Sequence, residues 1–228
     1  MIMRLKRYLI FGLQYFLWEK PRGLDFTMRD LSLLRNSNGL YHGYSKTAEK
    51  HLQEIFGSLT FTGKERLLDI GCGKGVVLRI ASGYPFEKVA GIEIDERLVS
   101  IAVNNFRVLK MEDRVQCFQA NAAEFEDYGN YNIFFMFNPF SSTVMKKVVD
   151  KLLEVSEKNP VTVIYHNPVY MEFFEQEGEV TVLQQLYDKT KDYSTCIFQV
   201  SRRKRCPQGT AISMAVRGSD SRWTCDSG

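Results

Sequence analysis

Residues 66–75, Arg-Leu-Leu-Asp-Ile-Gly-Cys-Gly-Lys-Gly, constrain this chain more than any other stretch. The short apolar run that opens it reads as a parallel strand buried on both faces. Gly71, Gly73 and Gly75 then turn the chain tightly. Glycine reaches backbone angles that other residues avoid, and without a Cβ it lets a ligand lie against the main chain. A helix is expected over 76–82, with its unpaired N–H groups pointing back at the loop. Strand, glycine turn and helix together form the floor of a cofactor pocket.

The downstream pattern repeats this unit. Strands are expected at 66–70, 88–92, 115–118, 131–137, 161–166, 180–186 and 195–200, and helices at 46–59, 96–111, 142–156 and 170–176. Leu98, Ile101, Ala102 and Leu109 share one helical face, as do Val144, Val148, Leu152 and others in the next helix. Such alternation predicts an α/β fold, a doubly wound sheet with helices on both faces. Ligands then collect beyond the carboxyl ends of the central strands. The 228 residues suit one domain, and 44% hydrophobic content gives it a core. We divide the chain into an N-terminal helical and connecting segment (1–43), the cofactor-binding domain (44–200) and a flexible tail (201–228). Within the first segment a short helix is expected over 27–34. The tail opens on Arg202-Arg-Lys-Arg205 and then loses all periodicity.

A formal net charge of +3 is too small to imply nucleic acid. The five cysteines form no C-x-x-C pair, and with only three histidines no metal spacing appears, so a reduced, cytoplasmic setting is expected. Cys72 reads as a small residue packed in the turn. Near the start, Arg4, Lys6 and Arg7 precede an apolar run from Tyr8 to Trp18. Its 11 residues fall short of the roughly 20 that span a bilayer. Two readings stand: a helix packed on the domain or on a second copy, or an interfacial membrane helix with cationic flanks.

Three chemistries use glycine loops. A P-loop needs G-x-x-x-x-G-K-[ST], and here Lys74 is followed by Gly75. The dinucleotide fingerprint G-x-G-x-x-G meets Val76 at its third glycine. The third is S-adenosylmethionine, for which an acid late in strand one precedes G-x-G-x-G. Asp69, Gly71, Gly73 and Gly75 match all four positions, with Cys72 inside the turn. Asp69 suits the ligand's ammonium. Glu93, directly after the second strand, suits the ribose diol, and Ile94 follows it. Asp95 reads as a helix cap. Ala120-Asn121-Ala122-Ala123 after strand three leaves room for adenine, with Asn121 and Ala122 at the purine edge.

With three strand ends in the right order, the chain resembles the class I S-adenosylmethionine-dependent methyltransferases over roughly 44–200. Leu-Asp-Ile-Gly-Cys-Gly-Lys-Gly, Gly-Ile-Glu, Phe-Asn-Pro-Phe and Tyr-His-Asn-Pro look like a group of small bacterial members. The resemblance implies a seven-stranded Rossmann-like sheet of order 3-2-1-4-5-7-6 with strand seven antiparallel. It also implies a methyl donor, S-adenosyl-L-methionine, released as S-adenosyl-L-homocysteine. Asn138-Pro139-Phe140 after strand four is similar to the Asn/Asp-Pro-Pro-aromatic motif of relatives that methylate planar nitrogens, but Phe140 stands where they have a second proline. Asn138, also a candidate cofactor contact, and His166, at the end of strand five as a candidate base, are the candidate catalytic residues, and Pro139, Phe140 and Tyr44 the candidate acceptor-binding residues. Tyr41 and His42 lie beside Tyr44 as candidate cover for the pocket. The acceptor is unidentified, with a small molecule or a protein side chain favoured over RNA. Two other readings stay open: a cofactor-binding scaffold without chemistry, and an NAD-dependent oxidoreductase.

Overall fold

The computed structural model describes residues 12, 13, 15–27, 47–189 and 192–203. Seven strands form one sheet: β1 (Arg66–Ile70), β2 (Lys88–Glu93), β3 (Val115–Gln119), β4 (Ile133–Phe137), β5 (Val161–His166), β6 (Gly178–Asp188) and β7 (Tyr193–Arg202). Their order is β3-β2-β1-β4-β5-β7-β6. The first five run parallel, and β7 is antiparallel to both β5 and β6. The Rossmann-like sheet expected from the sequence is the sheet observed.

Among the described residues five α-helices cover it: α1 (Glu49–Gly57), α2 (Val76–Ala81), α3 (Glu96–Val108), α4 (Ser142–Val155) and α5 (Met171–Glu177). Because strand side chains alternate between faces, the sheet divides the core in two. Leu68, Ile70, Phe134 and Met136 face α4, whose Val144, Val148, Val149 and Leu152 form the stripe read from the sequence. Leu67, Val89, Phe135 and Ile164 face the other way, against Leu52, Ile55 and Phe56 of α1 and Ala102 and Phe106 of α3.

Registers carry the strand ends to one place. Asp69 lies beside Gly91, and Phe137 beside His166. The ends of β1, β2, β4 and β5 thus open on one edge of the sheet, the edge at which ligands bind in such folds.

The structure departs from the sequence reading at several boundaries. β4 starts at Ile133 rather than 131, because the Asn132 side chain accepts from the Arg66 backbone N–H at 2.7 Å and brackets β1. β6 is 11 residues long, and a register shift between Val182 and Gln184 breaks its alternation. That bulge hides the strand's length from a period-two reading. The tail begins later than 201: Ser201 and Arg202 extend β7 opposite Glu179 and Gly178, and Arg202 Nη1 meets Glu157 Oε1 at 2.8 Å. Residues 204–228, positions 28–34 of the helix expected over 27–34, and Tyr41, His42 and Tyr44 lie outside the described residues.

Candidate functional site

The glycine turn is built by three left-handed residues, Gly71, Gly73 and Gly75, with φ of 83°, 53° and 83°. Side chains strain this conformation, so the sequence at the turn follows from the backbone it must adopt. Gly71 and Cys72 both donate their N–H to the Ile92 carbonyl, at 2.9 and 3.0 Å, which fastens the turn to the end of β2. The glycines differ in what else they serve. A Cβ on Gly75 would sit 2.3 Å from the Phe106 ring, so this glycine admits α3 rather than a ligand. A Cβ on Gly71 would lie 3.0 Å from Pro139 Cβ, so Gly71 lets the Asn138-Pro139 turn pack on the loop. The two motifs read separately from the sequence are in contact.

Two carboxylates line the loop. Glu93 Oε2 accepts from the Gly73 N–H at 3.0 Å, while Oε1 accepts from Ile94 and Asp95 at 2.8 and 3.1 Å. Asp69 is 2% exposed, and its Oδ2 has no hydrogen-bond partner among the described residues. Burial and the nearby Glu93 charge push the Asp69 carboxyl well above its ordinary range. Burial also raises Glu93, against the lowering effect of its three backbone donors. Both acids therefore carry an unmet demand for positive charge. Asp95 plays the cap role expected of it: its Oδ1 accepts from the Arg97 N–H at 2.9 Å, opening α3.

The loop's own cation turns away. Lys74 is buried, and its Nζ meets Asp25 Oδ2 at 2.6 Å. The Lys74 carbonyl accepts from Asn105 Nδ2, which also donates to the Asp25 carbonyl. Sequence reasoning missed this clamp, which joins positions 49 residues apart and carries no local signal. Cys72 is buried with its sulfur 3.4 Å from Cys117 Sγ, and that contact and burial raise its pKa. It is the packed, unreactive residue expected.

Beside Glu93, Ile94 is 39% exposed at the loop mouth. The Ala120–Ala123 turn is tied to the same strand end by the Ala120 N–H donating to the Glu93 carbonyl at 2.9 Å. Asn121 Oδ1 accepts from the Ala123 N–H at 3.0 Å, so its oxygen shapes the turn. A contact with a purine edge then falls to its amide nitrogen or to backbone N–H groups. Ala122 is buried, held from below by the Tyr128 hydroxyl donating to its carbonyl at 2.8 Å.

On the acceptor side, Asn138 and Asn167 both take left-handed backbone angles, φ 34° and 54°, at the ends of the adjacent strands β4 and β5. Asn138 Oδ1 is buried without a hydrogen-bond partner among the described residues. Phe140, a candidate acceptor-binding residue, is 5% exposed and belongs to the core cluster with Ile92, Ala122 and Val144. His166 is also wholly buried. Its ring lies edge-on to Phe137 with centroids 4.3 Å apart, and its Nε2 is 4.0 Å from Asp188 Oδ2. Its Nδ1 and His51 Nε2 each lie 2.7 Å from Thr195 Oγ1. A threonine hydroxyl has one proton, so at least one of the two imidazoles donates to it. The histidine proposed as a base is thus a member of a buried polar chain beneath Phe137. His51 was not singled out from the sequence, where it reads as one more polar position on α1.

A cavity of about 470 Å³, lined among others by Leu59, Glu65, Asn132 and Thr162, lies at the opposite, amino-terminal edge of the strands and touches none of these residues. No cluster of three or more potential metal ligands occurs among the described residues.

Comparison with known proteins places this site in context. The model of a family described as "Methyltransferase domain" matches residues 67–159. An rRNA N(6)-adenosine-methyltransferase of Caenorhabditis elegans is 29% identical over 106 residues, 45% of this chain and 49% of the relative. A tRNA1(Val) (adenine(37)-N6)-methyltransferase of Flavobacterium johnsoniae is 36% identical over 77 residues, 32% of this chain and 33% of the relative. The chain thus spans at most about half the length of these curated relatives. Among solved structures, an RNA methyltransferase from Salinibacter ruber in complex with S-adenosyl-L-homocysteine superposes with a TM-score of 0.52 at 18% identity, covering 73% of this chain and 97% of that one. That likeness shows a shared fold.

Proposed function

We propose that this chain is a class I S-adenosylmethionine-dependent methyltransferase acting on a nitrogen acceptor. The observation that carries the reading is the acid-lined glycine loop. Gly73, whose N–H would face a pyrophosphate in a dinucleotide site, donates instead to Glu93, and the buried Asp69 oxygen beside it has no partner. Two carboxylates at this point repel a pyrophosphate and attract a ligand bearing an ammonium. Lys74, the loop's cation, is committed to Asp25. These features favour S-adenosylmethionine over a nicotinamide dinucleotide.

The residues present fit that cofactor. Asp69 would hold the ammonium, Glu93 the ribose, and Ile94 with Asn121 and Ala122 the adenine, while the backbone of the glycine turn would lie against the methionyl part. Bound there, the cofactor supplies an electrophilic methyl group on a sulfonium. The protein's contribution is to hold the acceptor in line and keep it there. Asn138 Oδ1, buried and partnerless, accepts a hydrogen bond from an amino group and so orients its nitrogen lone pair. His166 lies too deep to take a proton from an acceptor and instead supports Phe137 and the β5 end.

The preference for a small molecule or protein acceptor over RNA is not kept. Both curated relatives carry names for adenine N6 methylation in RNA, so RNA is the first acceptor to test. Titration with S-adenosylhomocysteine and with NADH tests the cofactor, and NADH binding alone overturns the reading. Incubation with methyl-tritiated cofactor and separate RNA, protein and small-molecule fractions tests the acceptor. Label on an amino nitrogen supports the proposal; label on oxygen or carbon overturns it.

A further inference from the structure

Residues 15–27 form a satellite whose two ends behave oppositely. The later end is fastened to the domain. Glu19 is buried, and its Oε2 accepts from the Phe26 and Thr27 N–H groups at 2.8 and 2.9 Å. Leu24 and Phe26 sit in the core, the Gly23 carbonyl accepts from Asn104 Nδ2 at 2.9 Å, and Asp25 pairs with Lys74. The earlier end stands out from the body: Phe16 is 57% exposed, Leu17 71% and Trp18 39%, with Leu13 at 50% just before them. The expectation that this run packs on its own domain therefore fails at these four residues. Scattered exposed apolar residues are ordinary, but four within six positions form a patch that marks an interaction surface.

Charge selects the occupant. Residues 1–24 contain five cations, Arg4, Lys6, Arg7, Lys20 and Arg22, and a single acid, Glu19. Glu19 is the one turned inward, to 0% exposure. Lys20 Nζ lies 5.4 Å from the Phe16 ring centroid, and the Arg22 guanidinium 5.4 Å from that of Trp18, so cations and exposed rings occupy the same place. A second copy brought against this face would set Lys20 and Arg22 against the same two cations, with Glu19 turned inward from both. An anionic lipid surface meets both demands, with headgroups for the cations and the acyl boundary for the rings and leucines.

We propose that Leu13 and residues 15–22 form a peripheral docking surface for anionic phospholipid bilayers, independent of the cofactor site. The mode is adsorption: the apolar run is too short to span, and no helix among the described residues is long and apolar enough to cross a membrane.

The full chain, floated with vesicles of phosphatidylcholine containing phosphatidylglycerol, is expected to rise with them and to be released by salt. It should stay behind with phosphatidylcholine alone. Each cation at such a surface contributes about fivefold in affinity, so Lys20→Gln with Arg22→Gln should weaken binding about thirtyfold. Phe16→Ser with Leu17→Ser should abolish flotation while leaving the S-adenosylhomocysteine affinity and Tm unchanged, since both side chains are exposed. Equal binding to neutral vesicles, or none to either kind, overturns the proposal. So does a dimer in light scattering that Phe16→Ser with Leu17→Ser dissociates, which assigns the face to a second copy instead.

Discussion

Glu93→Ala removes a carboxylate that the ligand-free protein already uses, and the structure sets the size of the effect. A carboxylate offers about four acceptor positions, and Gly73, Ile94 and Asp95 occupy three of them. One remains, on Oε2, for a ribose hydroxyl; a second hydroxyl must displace a backbone donor. The net gain on binding is therefore about one hydrogen bond to a charged group, about 1.5–3 kcal/mol. This corresponds to a rise of about 10- to 150-fold in the Kd for S-adenosylhomocysteine. The stability cost is smaller than three lost bonds suggest. Ile94 is exposed, so water replaces the acceptor at the loop mouth, and only the buried Gly73 N–H is orphaned, at about 1–3 kcal/mol. Relief of the Glu93 charge beside Asp69 offsets part of that. Isothermal titration calorimetry reads the affinity, and a thermal melt confirms that the variant is folded. A folded variant with a Kd within about twofold of wild type, well short of one such bond, refutes the assignment of Glu93 to the ribose.

Asp69→Asn is expected to stabilise the ligand-free protein and weaken S-adenosylhomocysteine binding about 10- to 150-fold, the scale of one charge-assisted bond. The sign follows from linkage: a carboxyl raised on folding binds more protons in the folded state, so its burial costs stability as pH rises from the unfolded pKa through the folded one. Urea denaturation across that interval should show wild type losing stability relative to the variant, and the opposite trend refutes it. For the same reason the cofactor's ammonium, which favours the ionised acids, should drive proton release from Asp69 and Glu93 on binding. Calorimetry in buffers of different ionisation enthalpy detects this, and zero release counts against an ammonium at Asp69. Gly75→Ala combines a left-handed backbone, about 1–2 kcal/mol, with a Cβ driven into Phe106, about 1–3 kcal/mol. A fall in Tm of about 4 °C or more is expected, and an unchanged Tm refutes the packing role. Thr195→Val leaves His51 and His166 without their shared hydroxyl and should cost about 1–3 kcal/mol in denaturant unfolding. The S-adenosylhomocysteine affinity should stay put; a large loss of affinity would place this chain in the cofactor site.

The acid-lined glycine loop was legible because its signals are local. Asp69, Gly71, Gly73, Gly75 and Glu93 each sit at a strand end or in a turn, where the backbone dictates residue type within a few positions. The turns that end β4 and β5 were less legible. Phe140 reads as an acceptor-binding residue from its place after Asn-Pro, yet α4 follows so closely that the ring is drawn into the core. His166 reads as a strand-end base, yet Phe137, Thr195 and Asp188 close over it from three other strands. Lys74 reads as part of the loop, yet its charge serves Asp25.

The alternation of strands and helices, the glycine turn and the acidic positions beside it were determined by the sequence alone, since periodicity and turn chemistry act over a few residues, while the strand order was implied only by the family resemblance. Only the tertiary structure decided that Gly71 receives Pro139, that Gly75 receives Phe106, and that Glu19 turns inward while Phe16 and Leu17 face out. Those outcomes depend on which surfaces meet across tens of residues. No local pattern encodes such a meeting; the packing of the whole sheet and its helices does.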